Sequence, residues 1–259
     1  MRWLNLLFVL LVNAVPLYGV KQLGWSASTV VVLYWFENLL IAFFTCARIA
    51  LHRKLTRKRG HWRQGQLGTK VGNQPSTRGL LGEYATMAFV FTFAHGIFVF
   101  GFTAIAADSR GSDPRFAFSS AQFWQGAQWM ALALVADFLV DAATMRGRSF
   151  AWIRAYVDRR MGRVLIMHLA IIFGMWGMMA TESPFAVLYV LIALKTLWDL
   201  ASANAGGKSN ALPDEPPAWA LKIGAQQHGR SIEAQRAEWK RTVEEHKRSA
   251  LEDEQVVPA

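Results

Sequence analysis

One cysteine, Cys46, stands in the 259 residues, so no internal disulfide framework can staple this chain. Acids are scarce beside bases, 18 against 28. One long stretch, "RIALHRKLTRKRGHWRQGQLGTKVGNQPSTR" from Arg48 to Arg78, has no acid at all. Also missing are a Gly-x-Ser-x-Gly elbow, a His-Glu-x-x-His zinc helix, paired cysteines and a phosphate-cradling glycine loop. These absences remove several familiar enzyme and nucleotide-binding readings and leave no cofactor implied. No internal repeat is visible.

What the chain has in excess is apolar surface: 53% of residues are hydrophobic, 13% are aromatic and eleven are Trp. Six stretches approach or exceed the about 20 helical residues needed to cross roughly 30 Å of hydrocarbon. They run near Trp3 to Lys21, Ser28 to Arg48, Leu80 to Ala107, Ala121 to Met145, Val164 to Ala180 and Pro184 to Ala203. The expected fold is all-α, a polytopic transmembrane helical bundle of six spans over residues 1–203. Residues 204–259 follow as a cytoplasmic linker and charged helical tail.

Charge placement orients the bundle. The acid-free Arg48 to Arg78 loop and "RGRSFAWIRAYVDRRMGR" after the fourth span are strongly basic, whereas "DSRGSDPR" after the third is balanced. Lys and Arg in short loops stay cytoplasmic, which puts both termini inside. Arg2 and the apolar run after it resemble a signal peptide, but no small-x-small cleavage site precedes the next span, and Pro16 to Gly19 reads as a helix end or kink. The first span is therefore expected to be retained.

The net charge of +10 predicts contact with the lipid bilayer, through anionic headgroups at the basic loops. Nucleic acid is not expected, because orientation and lipid contact already account for the charge. In the tail, "NAGGKSN" and "LPDEPP" read as a flexible and then a stiff linker. Ser231 to Glu254 reads as a charged helix with sparse apolar positions at Ile232, Trp239 and Val243. Such a helix is either solvated or rests Trp239 on a membrane surface or a protein partner.

Within the apolar stretches lie Asn13, Glu37, Asn38, His95, Asp137, Asp141, His168, Lys195 and Asp199. An ionisable group inside a span costs about 2.5 to 3.5 kcal/mol on insertion scales, so such groups face the bundle interior and find partners. Asp137 and Asp141 share a helix face, as do Lys195 and Asp199, which can neutralise each other. Helical rise puts Glu37 and His95 near mid-membrane and Asp141, His168 and Asp199 nearer the cytoplasm. The candidate site is a polar intramembrane seam, with His95 the expected partner of Glu37 by depth. Plainer readings stand beside it: Asp141 and Asp199 as interfacial anchors, Lys195 snorkelling or paired with Asp199, and His95 as an interhelical contact eased by Gly96.

A haem between His95 and His168 is disfavoured, because their depths differ by on the order of 15 Å. A divalent ion held by Glu37, His95, Asp137 and His168 is chemically allowed, but no compact spacing motif supports it.

"LVNAVPLYGVKQLGWSASTVVVLYWFEN" (Leu11 to Asn38), "AHGIFVF" (Ala94 to Phe100), "RVLIMHLAIIFG" and "SPFAVLYVLIALKTLWDL" resemble domain-of-unknown-function family 6498, a group of uncharacterised prokaryotic multi-pass membrane proteins. The resemblance covers Trp3 to about Ala203 and not the tail. It implies an integral protein of the inner membrane, and it matches Glu37, Asn38, His95, His168, Lys195 and Asp199 to family motifs. A further His common in the third span of that family is absent here, near Met87, which weakens a metal site. The leading expectation is a transporter-like or channel-like protein with a proton-linked or polar small-molecule site. A structural or assembly subunit comes next, and an intramembrane or lipid-modifying enzyme using His168 and an Asp comes last.

Overall fold

The computed structural model describes residues 2–63, 79–109, 117–181, 185–204, 212–218, 221 and 231–258. Seven α-helices are found among them: α1 Arg2–Gln22, α2 Ala27–Thr56, α3 Leu80–Ser109, α4 Ser120–Thr144, α5 Phe150–Thr181, α6 Phe185–Asn204 and α7 Ile232–Asp253. Short 3-10 turns occupy Arg59–Trp62 and Met145–Gly147. Among the described residues there is no strand, only an isolated antiparallel bridge between Lys58 and Val256.

Local chemistry explains the helix boundaries. α1 runs through Pro16 instead of ending there, at the loss of one backbone donor within the helix. It stops at Gly24, whose left-handed φ of 62° turns the chain so that Trp25 N–H donates to Gly19 O at 2.9 Å. Ser26 then caps α2, its Oγ accepting from Thr29 N at 3.1 Å. Ser119 N donates to Thr29 Oγ1 at 2.9 Å and ties the start of α4 to the start of α2.

α2 lies at the centre, packing on α3 and α4 most extensively, with smaller contacts to α1, α5 and α6. Its buried positions include Val30, Leu33, Tyr34, Glu37, Ile41, Thr45, Arg48, Ile49 and His52. Their three- and four-residue spacing defines one helix face. At one end Trp25, Val30, Leu33, Tyr34, Ala127, Met130 and Leu191 form an apolar core. There the Trp25 ring is wedged between helices, since a Cβ on Gly19 or on Gly126 would come within 2.2 or 2.7 Å of it. At the other end Ile49, Leu80, Tyr84, Phe150, Ile153, Tyr156 and Val157 form a second core.

Two expectations about extent change. Among the described residues three helices, α2, α3 and α4, are long and apolar enough to cross a membrane, in place of the six expected. Most side chains in the apolar stretch of α5, and a smaller share of those in α1 and α6, lie outside the described residues. The basic segment Arg146 to Arg163, expected as a loop, is largely the first four turns of α5. Ser149 Oγ accepts from Trp152 N at 3.1 Å, and no proline stands between Phe150 and Thr181. Likewise α2 continues past Arg48 to Thr56, ending where Arg57 takes a left-handed φ of 51°. Many large apolar side chains face outward, Phe89 (72% exposed) and Phe93 on α3, Trp129 and Leu139 on α4 and Trp176 (75% exposed) on α5 among them.

Candidate functional site

Glu37 is fully buried and Lys195 is 1% exposed. The two meet across α2 and α6, with Lys195 Nζ 3.2 Å from Glu37 Oε1. The same ammonium lies 3.4 Å from Asp199 Oδ2 one turn along its own helix and donates to Asn13 Oδ1 of α1 at 2.6 Å. Asn13 closes the ring by donating through Nδ2 to Asp199 Oδ2 at 3.2 Å, and Thr196 Oγ1 donates to Asn13 Oδ1 at 3.2 Å. Tyr34 offers its ring face to the ammonium, 5.4 Å from Nζ to the centroid. Three helices thus place one cation between two carboxylates, with an amide that can both donate and accept. Such an arrangement can exchange partners or share a proton without changing its shape.

Three turns along the buried face of α2 is a second assembly. Arg48, 1% exposed, donates from Nη2 to Asp137 Oδ2 at 2.7 Å and from Nε to Asp141 Oδ2 at 2.8 Å. Its guanidinium also lies over the rings of Phe138 and Tyr156, 5.3 and 5.1 Å from their centroids. Tyr156 in turn accepts from Arg160 Nη2 at 2.9 Å. Burial opposes the Arg160 charge, but Tyr156, Asp137 and Asp199 more than offset it and raise its pKa. Arg160 is therefore an electrostatic link between the two assemblies.

A third assembly closes the basic end of α2. His52 Nδ1 and His61 Nε2 are 2.7 Å apart, and His61 packs edge-on against Phe150. Burial, and then the charges of His52, Arg53 and Lys58, push the His61 imidazole down to about 3. Against this corner lies the end of the chain. Arg63 Nη1 meets Asp253 Oδ1 at 3.0 Å and Glu252 Oε2 at 3.5 Å, and Lys58 pairs with Glu254. Glu254 Oε1 accepts from Ala151 N at 3.1 Å. Burial works against the Glu254 carboxylate, but Lys58 and the amides of Ala151 and Phe150 outweigh it and lower its pKa.

The residues singled out from sequence divide among these assemblies. Glu37, Lys195 and Asp199 come together with Asn13, while Asp137 and Asp141 come together on Arg48, so one seam becomes two stations. The ion pair of Glu37 is to Lys195, not to the expected His95. His95 Nδ1 is 2.8 Å from Phe91 O in its own helix. Asn38 is half-buried. The side chain of His168 lies outside the described residues. Among those residues no three His, Cys, Asp or Glu groups could hold a metal ion: Glu37 faces Lys195 and Asp137 faces Arg48.

Arg48 escaped the sequence reading because it was assigned to the basic loop, although 11 positions from Glu37 is close to three full turns and the same helix face. The His52–His61 pair and the docked tail carried no local signal.

A family model described as a family of unknown function (DUF6498) matches residues 1–235. No curated protein and no solved structure matches the chain. The match runs beyond the six helices through the linker and stops inside α7, four residues into it. By that match over most of its length, the chain belongs to this family of unknown function.

Proposed function

We propose that this is a six-span inner-membrane protein of a prokaryote, transporter-like or channel-like, with both termini cytoplasmic and Asn13, Glu37, Lys195 and Asp199 at the centre of a proton-linked or polar small-molecule site. The outward-facing Phe, Leu and Trp side chains of α3, α4 and α5 support lipid as their solvent. The Lys and Arg bias supports the orientation. The observation that carries the functional reading is Lys195 held between Glu37 and Asp199. With all three ionised, this trio bears one more negative charge than positive, so uptake of a proton or a cationic substrate group is a natural change of state for it. Arg48 with Asp137 and Asp141 supplies a second station on the same face of α2, toward the basic end.

The test uses purified protein in liposomes carrying an internal pH dye, with an imposed proton gradient. Glu37→Gln keeps shape and hydrogen bonding but removes titration. It is expected to leave the melting temperature nearly unchanged and to abolish protein-dependent proton movement. Glu37→Leu is expected to lose stability as well, by about 1 to 3 kcal/mol, because the Lys195 ammonium keeps Asp199 and Asn13 but loses one buried acceptor. If wild type and Glu37→Gln move protons equally, or neither does so above empty liposomes with any polar solute tried, the charged trio serves helix assembly alone.

A further inference from the structure

The basic segment that follows α2 is already occupied, and the occupant is the chain's own C-terminus. Arg59 N donates to Gln255 O at 2.7 Å and Val257 N donates to Arg57 O at 2.9 Å, forming a one-bridge antiparallel pairing at Lys58 and Val256. Side chains reinforce it. Arg63 meets Asp253, Glu252 and the carbonyl and hydroxyl of Ser249, Lys58 meets Glu254, and Arg57 donates to Pro258 O at 2.7 Å. Glu254 then bridges to the first turn of α5 through Ala151 N. Three successive acids, Glu252, Asp253 and Glu254, thus meet two of the four cations, Lys58 and Arg63, of a strip that has no acid of its own.

That strip begins one residue after a helix long and apolar enough to span a bilayer and carries exposed Trp62 beside Arg59 and Arg63. Cations next to an exposed Trp at a span's end are what a bilayer surface attracts. The family match ends at residue 235, so the acidic segment lies outside it.

We infer that the C-terminal segment 249–258 is a latch that covers an anionic-lipid-binding strip, Arg57 to Arg63, and that anionic headgroups compete with it for the same cations. The chemistry on both sides is alike: in the latched state carboxylates take Lys58 and Arg63 and the Gln255 amide oxygen takes Arg59, and in the open one phosphodiester or carboxylate headgroups accept from the same three cations. Opening removes Glu254 from the amide of Ala151 and so frees the start of α5. The same helix carries Tyr156 and Arg160, which touch or act on the Arg48 station. The latch stands on its own contacts. Only the leaflet it meets rests on the orientation proposed above, and lipid nanodiscs expose both faces, so failure of that orientation would not mimic failure of the latch.

Amide hydrogen exchange on the full-length protein in nanodiscs reads the latch at the Arg59 and Val257 amides. In zwitterionic phosphatidylcholine both are expected to be protected. In nanodiscs rich in phosphatidylglycerol both are expected to exchange roughly tenfold faster or more, as several surface cations each gain a lipid contact, while α2 and α4 stay protected. The double variant Asp253→Asn, Glu254→Gln is expected to be open in either lipid. The charge swap Lys58→Glu, Glu254→Lys keeps the pairing but removes a strip cation, and is expected to be closed in phosphatidylcholine and less easily opened by phosphatidylglycerol. Protection unaffected by anionic lipid overturns the competition. Protection retained in the double variant overturns the electrostatic latch. Release by an added acidic peptide but not by anionic lipid shows a strip that reads proteins and overturns the lipid assignment.

Discussion

His61 is a base kept neutral by its surroundings, and that has a pH signature. Its imidazole is pushed from 6.5 down to about 3, so the unfolded or undocked loop takes up a proton before the docked one does. Docking of the loop is therefore fully supported above pH 6.5 and loses support as pH falls toward about 3. Glu254 adds to the loss, but only below its ordinary value of 4.5, since its folded pKa is lowered. Between these values His61 is separable from Glu254. Amide protection of residues 57–63, corrected for intrinsic exchange, is expected to fall as pH drops from 6.5 to 4.5, and His61→Gln is expected to reduce that fall, leaving the part due to His52, whose pKa burial also lowers. An equal fall in the variant would assign the sensitivity elsewhere. At the same scale, Glu37, Asp137, Asp141, Lys195 and Asp199 were all visible in the sequence as polar residues in apolar stretches, because a lone charge there demands a partner. Which partner each takes was not visible. Depth along the helix axis was estimated, whereas the pairing of Glu37 with Lys195 depends on which faces of α2 and α6 meet.

Helix extents were close to expectation wherever an apolar run had clear ends, and wrong by many residues wherever a basic stretch was taken as a loop. Hydropathy registers solvent and not backbone state, so a helix that extends beyond its apolar stretch, as α2 does after it and α5 before it, looks like an apolar helix joined to a loop. The junction of α1, α2 and α4 has a sharper dependence on sequence. Trp25 fits between Gly19 and Gly126 because neither has a side chain, and a Cβ at Gly126 would sit 2.6 Å from Leu33 Cδ2 as well as 2.7 Å from the indole. Gly126→Val is expected to destabilise the bundle by about 1 to 3 kcal/mol through overpacking, read as a lower melting temperature in detergent. Pairing it with Trp25→Leu, which vacates part of the ring's space, should recover part of the loss. A Gly126→Val protein that melts with wild type would show that α4 can slide away from α2 at no cost.

For the molecule as a whole, the proposed orientation makes a direct prediction. A reporter active only in the cytoplasm, fused after Ala259, is expected to be active, and one active only outside is expected to be silent. The reverse result would sink the six-span arrangement with both ends inside. The tail changes meaning at this scale. It was expected as a solvated helix or a helix resting Trp239 on a membrane or partner. The helix is exposed along most of its length, Trp239 Nε1 donates to Pro213 O of the linker at 2.9 Å, and the helix leads its acidic end onto the basic segment after α2.

The chain's composition and pattern were enough to establish an all-helical architecture, the order of the seven helices found among the described residues, the approximate limits of all but α2 and α5, and most of the polar residues needing partners. Each of these follows from local quantities: apolar run length, helical period and the cost of a charge in an apolar layer. The sorting of those polar residues into Lys195 with Glu37 and Asp199, and Arg48 with Asp137 and Asp141, came from helix packing, as did the docking of Glu254 on Lys58. Those contacts join positions separated by 89 to 196 residues in every case but the one-turn pair of Lys195 with Asp199. Helical period says which residues share a face, but only the packing of one helix on another says what that face meets.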